Sequence, residues 1–87
     1  MNTNAWRWYI YVIECSDGLY YTGMTYDITK RIDQHISSKG SKFTSKHGFK
    51  AVRYIEKFTD FELARRREIQ IKDFSRKKKE ALWNKLA

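Results

Sequence analysis

The chain has 87 residues, of which 41% are hydrophobic and 32% charged, and its formal net charge at pH 7 is +8. This length fits one domain, and the composition excludes a disordered chain, so residues 1–87 are expected to form a single domain. The lone cysteine, Cys15, excludes an internal disulfide and a cysteine-rich zinc knuckle, and no apolar stretch is long enough to span a membrane. The sequence also has no signal-peptide pattern, so the cytoplasm is the expected location.

Two runs of β-branched and aromatic residues, 8–15 and 19–25, predict a β-hairpin. The Ser-Asp-Gly sequence between them ends at Gly18 and can turn in two ways. A three-residue loop with Gly18 in the left-handed conformation puts Tyr11 and Tyr21 on one face of the sheet. A two-residue turn puts them on opposite faces. We predict the three-residue loop.

A helix, a loop and a third strand are predicted next. Asp27 is a suitable N-cap for a helix over residues 28–37. Residues 38–50 are rich in serine, glycine and lysine and are expected to form a loop. Residues 51–58 return to strand composition.

Two helices are predicted to end the chain. Thr59 and Glu62 have the spacing of a capping box, which would start a helix continuing to Phe74. Ser75 can cap a last helix that runs from Arg76 to the end. The order β-β-α-β-α-α predicts an α+β fold, a small three-stranded antiparallel sheet flanked by helices.

Positive charge is concentrated in two stretches, residues 30–53 and residues 65–85. Clustered cations on one surface are typical of nucleic-acid binding, because each can neutralise a phosphate. The alternatives are a solvated basic surface and cations that complement helix dipoles. A basic run at the start of the last helix does not complement the dipole, so we favour nucleic acid. The candidate contacts are Lys39, Lys42, Lys46, Arg65, Arg76, Lys77 and Lys78.

Three further features point beyond binding. Tyr11 and Tyr21 share a hairpin, although tyrosines in strands are ordinary packing residues. Arg31 and His35 are four residues apart and therefore on one face of their helix. Glu68 falls within an apolar arc of the penultimate helix, where a carboxylate is costly unless it is paired or bound to metal. A salt bridge to Arg31 or Lys72 is the structural alternative for Glu68. The arc consists of Phe61, Leu63, Ala64, Ile71 and Phe74.

The ordered set of these residues resembles the GIY-YIG endonuclease superfamily. The set consists of Tyr9-Ile10-Tyr11, Tyr21-Thr22-Gly23, Lys30-Arg31-Ile32 with His35, and Ala64, Glu68 and Lys72 at four-residue intervals. The resemblance runs from Trp8 to Leu86 and is greatest to small single-domain bacterial members of unassigned function. Tyr9 stands where the first motif has glycine, and Thr22 where the second has isoleucine. The asparagine that many members carry near the carboxyl end has no secure counterpart; Asn84 is one candidate.

The resemblance implies a metal-dependent endonuclease that hydrolyses phosphodiester bonds in nucleic acid, with a role in DNA repair or recombination. DNA is favoured over RNA as the substrate, although the sequence itself does not distinguish them. Glu68 would be the one protein ligand of a Mg²⁺ or Mn²⁺ ion. Arg31 would neutralise the phosphoryl oxygens. Tyr11 or Tyr21 would orient or deprotonate the attacking water, with His35 as the alternative base, and the choice among the three stays open. A protein partner would supply specificity.

Two other interpretations compete with a nuclease. One is a non-catalytic nucleic-acid-binding module on the same fold. The other is a basic RNA-binding protein whose tyrosines stack on bases. If the chain is an enzyme, Tyr11, Tyr21, Arg31, His35 and Glu68 should line one concave surface, with their functional atoms within about 10 Å of a common point.

Overall fold

A computed structural model describes residues 7–84, in which three layers are built around one sheet. In chain order the elements are β1 (Trp8–Glu14), β2 (Tyr20–Thr25), α1 (Ile28–Ile36), α2 (Lys42–His47), β3 (Ala51–Phe58), α3 (Phe61–Lys72) and α4 (Arg76–Glu80). The three strands are antiparallel, in the order β2-β1-β3. The predicted α+β fold with a three-stranded antiparallel sheet is confirmed.

The hairpin between β1 and β2 has the predicted three-residue loop. The Cys15 N–H donates to the Leu19 carbonyl at 2.8 Å, and the Gly18 N–H donates to the Cys15 carbonyl at 2.9 Å. Gly18 has a φ of 91°, a conformation that costs glycine little because it has no Cβ. The resulting register pairs Tyr11 with Gly23, so Tyr11 and Tyr21 leave the same face of the sheet.

The two faces of the sheet carry different helices, because side chains alternate along β1. On one face Ile10 and Val12 pack against Ala64 and Ile71 of α3. On the other face Tyr11, Ile13 and Cys15 pack against residues of α1 and α2, namely Ile28, Ile32 and Phe43. The helices that carry Arg31 and Glu68 therefore lie on opposite sides of the sheet.

The prediction of a loop over residues 38–50 is wrong, because α2 lies within it. Ser41 caps this helix by accepting a hydrogen bond from the Thr44 N–H at 3.2 Å. Six residues are too few for a periodic apolar pattern, and the abundance of serine and lysine hid the helix. The element order is thus β-β-α-α-β-α-α, with one helix more than predicted.

The start of α3 also differs from the prediction. Its N-cap is Asp60 rather than Thr59: the Asp60 carboxylate accepts a hydrogen bond from the Glu62 N–H at 3.0 Å. A carboxylate one residue nearer the first turn replaces the hydroxyl of the proposed capping box. Two members of the predicted apolar arc, Phe61 and Leu63, are exposed, while Ala64, Glu68 and Ile71 are buried.

The last helix is shorter than predicted. Ser75 does cap α4, because its hydroxyl accepts a hydrogen bond from the Lys78 N–H at 3.1 Å. The helix ends at Glu80 and is followed by a turn, and residues 85–87 lie outside the described part of the chain. Within residues 7–84, none of the helices has the length and apolar character that crossing a membrane requires. The cytoplasmic location remains a prediction.

Candidate active site

The Tyr11 hydroxyl is the centre of a buried cluster in which three of the predicted site residues meet. Tyr11 is fully buried, and its hydroxyl lies 2.8 Å from Nε2 of His35. Arg31 donates to the same hydroxyl from Nε at 3.3 Å. The four-residue spacing of Arg31 and His35 on α1 is what brings both side chains to β1.

Gly23 allows the Tyr11 ring to lie across β2. A Cβ atom at position 23 would overlap the Tyr11 hydroxyl and would lie 2.5 Å from Cζ of the ring. Any side chain at this position would therefore displace Tyr11 from its contacts with Arg31 and His35. This close approach gives the glycine of the Tyr-Thr-Gly motif a direct role in shaping the site.

Tyr21 lies beside this cluster on the same face of the sheet. Its ring centroid is 6.3 Å from that of Tyr11 and 5.2 Å from that of His35. Phe43 of α2 packs on its other side, with the centroids 5.7 Å apart. Four of the five predicted site residues are thus together: Tyr11, Tyr21, Arg31 and His35.

Burial moves the pKa values of Tyr11 and His35 away from 7, in opposite directions, so that both groups stay uncharged at that pH. Burial, opposed by the hydrogen bond from Arg31, raises the pKa of Tyr11 to about 12. Burial, together with the charge of Arg31, lowers the pKa of His35 to about 4. At pH 7 the resting site therefore holds a neutral tyrosine hydrogen-bonded to a neutral imidazole. A free tyrosinate is not present at that pH.

Glu68 reaches the site from the other layer. It is buried on α3, where its side chain is 9% exposed. One carboxylate oxygen lies 2.7 Å from Nη1 of Arg65 and the other 3.2 Å from Nζ of Lys72. Glu68 therefore comes from the opposite face of the sheet to α1, and the expectation that all five residues line one concave surface stays a prediction. The charge of Glu68 nevertheless lies near enough to Tyr11 to contribute to the raised pKa of that hydroxyl.

The donor set limits how a metal ion could be held. Across residues 7–84 there is no group of three or more histidine, cysteine, aspartate or glutamate side chains placed to bind a metal. A cation here would have Glu68 as its one carboxylate ligand, with water and phosphate oxygens completing the shell. That oxygen-only set suits Mg²⁺ or Mn²⁺. Arg65 and Lys72 already contact one carboxylate oxygen each and would share the carboxylate with the ion.

Comparison with known proteins identifies the family. A family model described as "GIY-YIG catalytic domain" matches residues 7–81. The chain belongs to the GIY-YIG family. The match covers every element of the fold, from β1 to the end of α4. The GIY-YIG domains form a superfamily of nucleases.

Individual relatives of this GIY-YIG domain bear the family label UPF0213, and their names assign no activity. A UPF0213 protein of Halobacterium salinarum is 45% identical over 75 residues, which is 86% of this chain and 97% of that protein. A UPF0213 protein of Halalkalibacterium halodurans is 43% identical over 74 residues, 85% of this chain and 79% of that protein. The solution NMR structure of a UPF0213 protein from Bacillus halodurans is similar in fold, with a TM-score of 0.57 at 43% identity. That similarity covers 87% of this chain and 81% of the other.

Three of the predicted nucleic-acid contacts of the GIY-YIG domain lie on or just before α2. Lys39 and Lys42 line a depression of about 330 Å³ together with three serines. Lys46, on the same short helix, is exposed. Phe43 of this helix packs on Tyr21, so these lysines are carried by an element that contacts the site. The serines are Ser38, Ser41 and Ser45.

The other predicted nucleic-acid contacts differ in whether their side chains already have partners within the protein. Arg65 is paired with Glu68. Arg76 donates to the Gly18 carbonyl at 2.6 Å, and its guanidinium lies 4.4 Å from the centroid of the Tyr20 ring, so it ties α4 to the hairpin. The ammonium of Lys78 lies 4.7 Å from the centroid of the Phe74 ring, while Lys77 is exposed. Of these four residues, Lys77 is the one whose side chain makes no ion pair or ring contact within residues 7–84.

Two residues of the site were missed by the sequence analysis. Thr44 is fully buried, and its hydroxyl lies 2.7 Å from Nδ1 of His35. Gly40 packs on the same imidazole so closely that a Cβ atom there would lie 2.6 Å from Nδ1. Ser41 and Thr44 have the spacing of an N-cap and its third helical residue, which was the one available signal for α2.

Proposed function

We propose that this GIY-YIG domain is a metal-dependent endonuclease that hydrolyses phosphodiester bonds in nucleic acid, DNA rather than RNA, during repair or recombination. The observation that carries the proposal is the contact of Tyr11 with both Arg31 and His35. A packing tyrosine has no need of a half-buried guanidinium and a buried imidazole at one hydroxyl. A hydrolytic site needs a cation for the phosphate and a path for the proton of water.

The proton path in this proposal runs from water through Tyr11 to His35, and it requires substrate binding to bring water to the Tyr11 hydroxyl, which is fully buried in the resting protein. As the water oxygen bonds to phosphorus, its proton moves to the Tyr11 oxygen, and the Tyr11 proton moves to Nε2 of His35. The bond from phosphorus to the leaving oxygen breaks, and that oxygen takes a proton from solvent. The two transfers occur together, because a tyrosine with a raised pKa does not ionise alone at neutral pH.

In this proposal, the negative charge of the phosphate is offset by Arg31 and by a metal ion that Glu68 would hold. Arg31, already donating to Tyr11, would also donate to a phosphoryl oxygen through its planar fork. Glu68 would hold one Mg²⁺ or Mn²⁺, and the ion would supply charge stabilisation at the leaving oxygen. An incoming phosphate also offsets the Arg31 charge that lowers the pKa of His35, which makes His35 a better proton acceptor during the reaction.

A non-catalytic nucleic-acid-binding module is the second candidate, and one observation favours it. The carboxylate of Glu68 is already satisfied by Arg65 and Lys72, as a structural salt bridge would be. In that case Glu68 holds α3 together and binds no metal. The lysines on α2 would then account for the interaction with nucleic acid.

A cleavage panel with a matched pair of variants separates the two candidates. Labelled DNA and RNA, single-stranded, duplex and branched, would be incubated with Mg²⁺ or Mn²⁺. Glu68→Gln should lower cleavage by at least about 100-fold while the protein stays folded. Glu62→Gln, an exposed change on the same helix, should leave cleavage unchanged. Absence of cleavage by the unaltered protein on every substrate, with a lowered melting temperature in Glu68→Gln, would favour the binding module.

A further inference from the structure

Thr44 is the innermost residue of a hydrogen-bond chain that begins at Tyr11. Its hydroxyl lies 2.7 Å from Nδ1 of His35 and 3.1 Å from the hydroxyl of Ser41. The opposite ring nitrogen of His35 contacts Tyr11. Both Thr44 and His35 are fully buried, so neither imidazole nitrogen has solvent as an alternative partner.

The direction of this chain follows from the number of protons available. Among residues 7–84, the Tyr11 hydroxyl has two hydrogen-bond partners, Nε of Arg31 and Nε2 of His35. The arginine only donates, so the single Tyr11 proton must go to His35. Nε2 can accept it only when it carries no hydrogen. The neutral imidazole therefore bears its proton on Nδ1.

The proton on Nδ1 in turn requires an acceptor, and Thr44 is the residue placed to provide one. With Nδ1–H donating to the Thr44 oxygen, the Thr44 hydroxyl is free to donate to Ser41. The hydroxyl hydrogens of Tyr11 and Thr44 and the imidazole hydrogen of His35 then all have acceptors. The opposite tautomer would leave the proton of a fully buried tyrosine without one, which is unfavourable.

Close packing keeps the imidazole in this orientation. Position 40 has no room for a Cβ atom, which would lie 2.6 Å from Nδ1 and 2.9 Å from Cγ of His35. Gly40 therefore lies directly against the ring, next to the nitrogen that faces Thr44. A turn of the ring would break two short hydrogen bonds and meet the backbone of residue 40.

We propose that Thr44 is a positioning residue that fixes His35 in its Nδ1–H tautomer and so keeps Nε2 open to the Tyr11 proton. Thr44 touches neither substrate nor water in this role and acts only through His35. The tautomer itself follows from the contacts of the resting protein. Its effect on turnover rests on the proposed nuclease function.

Nitrogen NMR of the imidazoles in the ¹⁵N-labelled full chain at pH 7 tests the tautomer without any substrate. His35→Gln assigns the His35 signals against those of His47. We expect protonated Nδ1 and unprotonated Nε2 in the unaltered protein and in Thr44→Ser, which keeps the hydroxyl. Thr44→Val should shift the population toward Nε2–H. Nε2–H in the unaltered protein, or an unchanged tautomer in folded Thr44→Val, would overturn the proposal.

Kinetics supply the second measurement. Thr44→Val should lower kcat by about 10- to 100-fold with KM unchanged, by analogy with residues that orient metal-bound histidines, and Thr44→Ser should restore most of it. Equal loss in both variants would contradict the proposal, because a merely structural residue would behave in that way.

If the unaltered protein cleaves nothing, the nuclease proposal fails, while the NMR result still decides the tautomer. If Thr44→Val does not fold, the unaltered protein and Thr44→Ser suffice.

Discussion

Burial determines the protonation states of Tyr11 and His35 as much as neighbouring charges do. Tyr11 and His35 have pKa values moved in opposite directions, the first raised to about 12 and the second lowered to about 4. Burial is the largest cause of both shifts, because it disfavours tyrosinate and imidazolium alike. The same enclosure that holds both groups neutral at rest also couples them, through one hydrogen bond of 2.8 Å.

The lowered pKa of His35 predicts a dependence of stability on pH. The ordinary value of 6.5 applies to the unfolded chain, which therefore binds the imidazole proton more readily than the folded protein does. The contribution is fully present above about pH 6.5 and is lost as the pH falls toward 4, by roughly 2–4 kcal/mol in the free energy of unfolding. Urea unfolding at several pH values should show this slope, and His35→Gln should reduce it. Equal slopes in the two proteins would show that His35 is not buried in its neutral form.

At the residue scale the sequence predicted part of the site. Spacing put Arg31 and His35 on one face of α1, and the hairpin register put Tyr11 and Tyr21 on one face of the sheet. That the two pairs meet was implied by the resemblance to the GIY-YIG superfamily. Thr44 was not predictable, because its contact with His35 depends on how α2 folds back on α1. No local pattern in the sequence encodes that approach.

Among the elements, α2 is the one whose position matters most for the site. It carries Thr44 and Phe43 and is joined to α1 by a short segment that includes Gly40. The hairpin and α1 were predicted because their turn and cap use residues with strong preferences, Gly18 and Asp27. At the start of α3 two adjacent capping residues were available, Thr59 and Asp60, and α2 is too short to show an apolar period.

Gly40→Ala tests whether the connection between α1 and α2 must pack on His35. The added methyl group would lie 2.6 Å from Nδ1 and 3.0 Å from the Cα of His35, so backbone as well as side chain must shift. We expect the free energy of unfolding to fall by about 1–3 kcal/mol. Lys39→Ala, an exposed neighbouring change, should alter it by less than about 0.5 kcal/mol. Chemical denaturation of both variants measures the difference, and similar stabilities would mean that the segment is loosely packed.

For the molecule as a whole, net charge predicts how nucleic acid is bound. The formal charge of +8 and the exposed lysines on and before α2 favour binding through phosphates, which releases condensed counterions. The net charge follows directly from the sequence, whereas the positions of Glu68 and His35 on helices at opposite faces of the sheet do not. Glu68 approaches from α3 and the imidazole from α1, on opposite faces of the sheet, and only the assembled fold brings the charge of Glu68 near the Tyr11 hydroxyl.

Salt dependence tests the placement of the nucleic acid. Replacing Lys39, Lys42 and Lys46 together with alanine should flatten the plot of log affinity against log salt, by up to about 0.9 for each duplex phosphate that is no longer neutralised. The control, of the same total charge, replaces Arg7, Lys57 and Arg66, which are exposed and lie before β1, on β3 and on α3. Titrations at several salt concentrations compare the two. Equal slopes would place the bound nucleic acid elsewhere on the surface.

Hydrolysis by a matched pair of tyrosine variants tests whether the Tyr11 hydroxyl takes part in the reaction. Tyr11→Phe removes the hydroxyl that contacts Arg31 and His35, whereas Tyr9→Phe removes a hydroxyl two residues earlier on the same strand that, within residues 7–84, bonds to none of the site residues. Single-turnover cleavage of a labelled substrate with Mg²⁺ or Mn²⁺, on proteins shown to be folded and to bind it, measures the difference. We expect a rate at least about 100-fold lower for Tyr11→Phe and an unchanged rate for Tyr9→Phe. Equal rates in Tyr11→Phe and the unaltered protein would contradict this expectation.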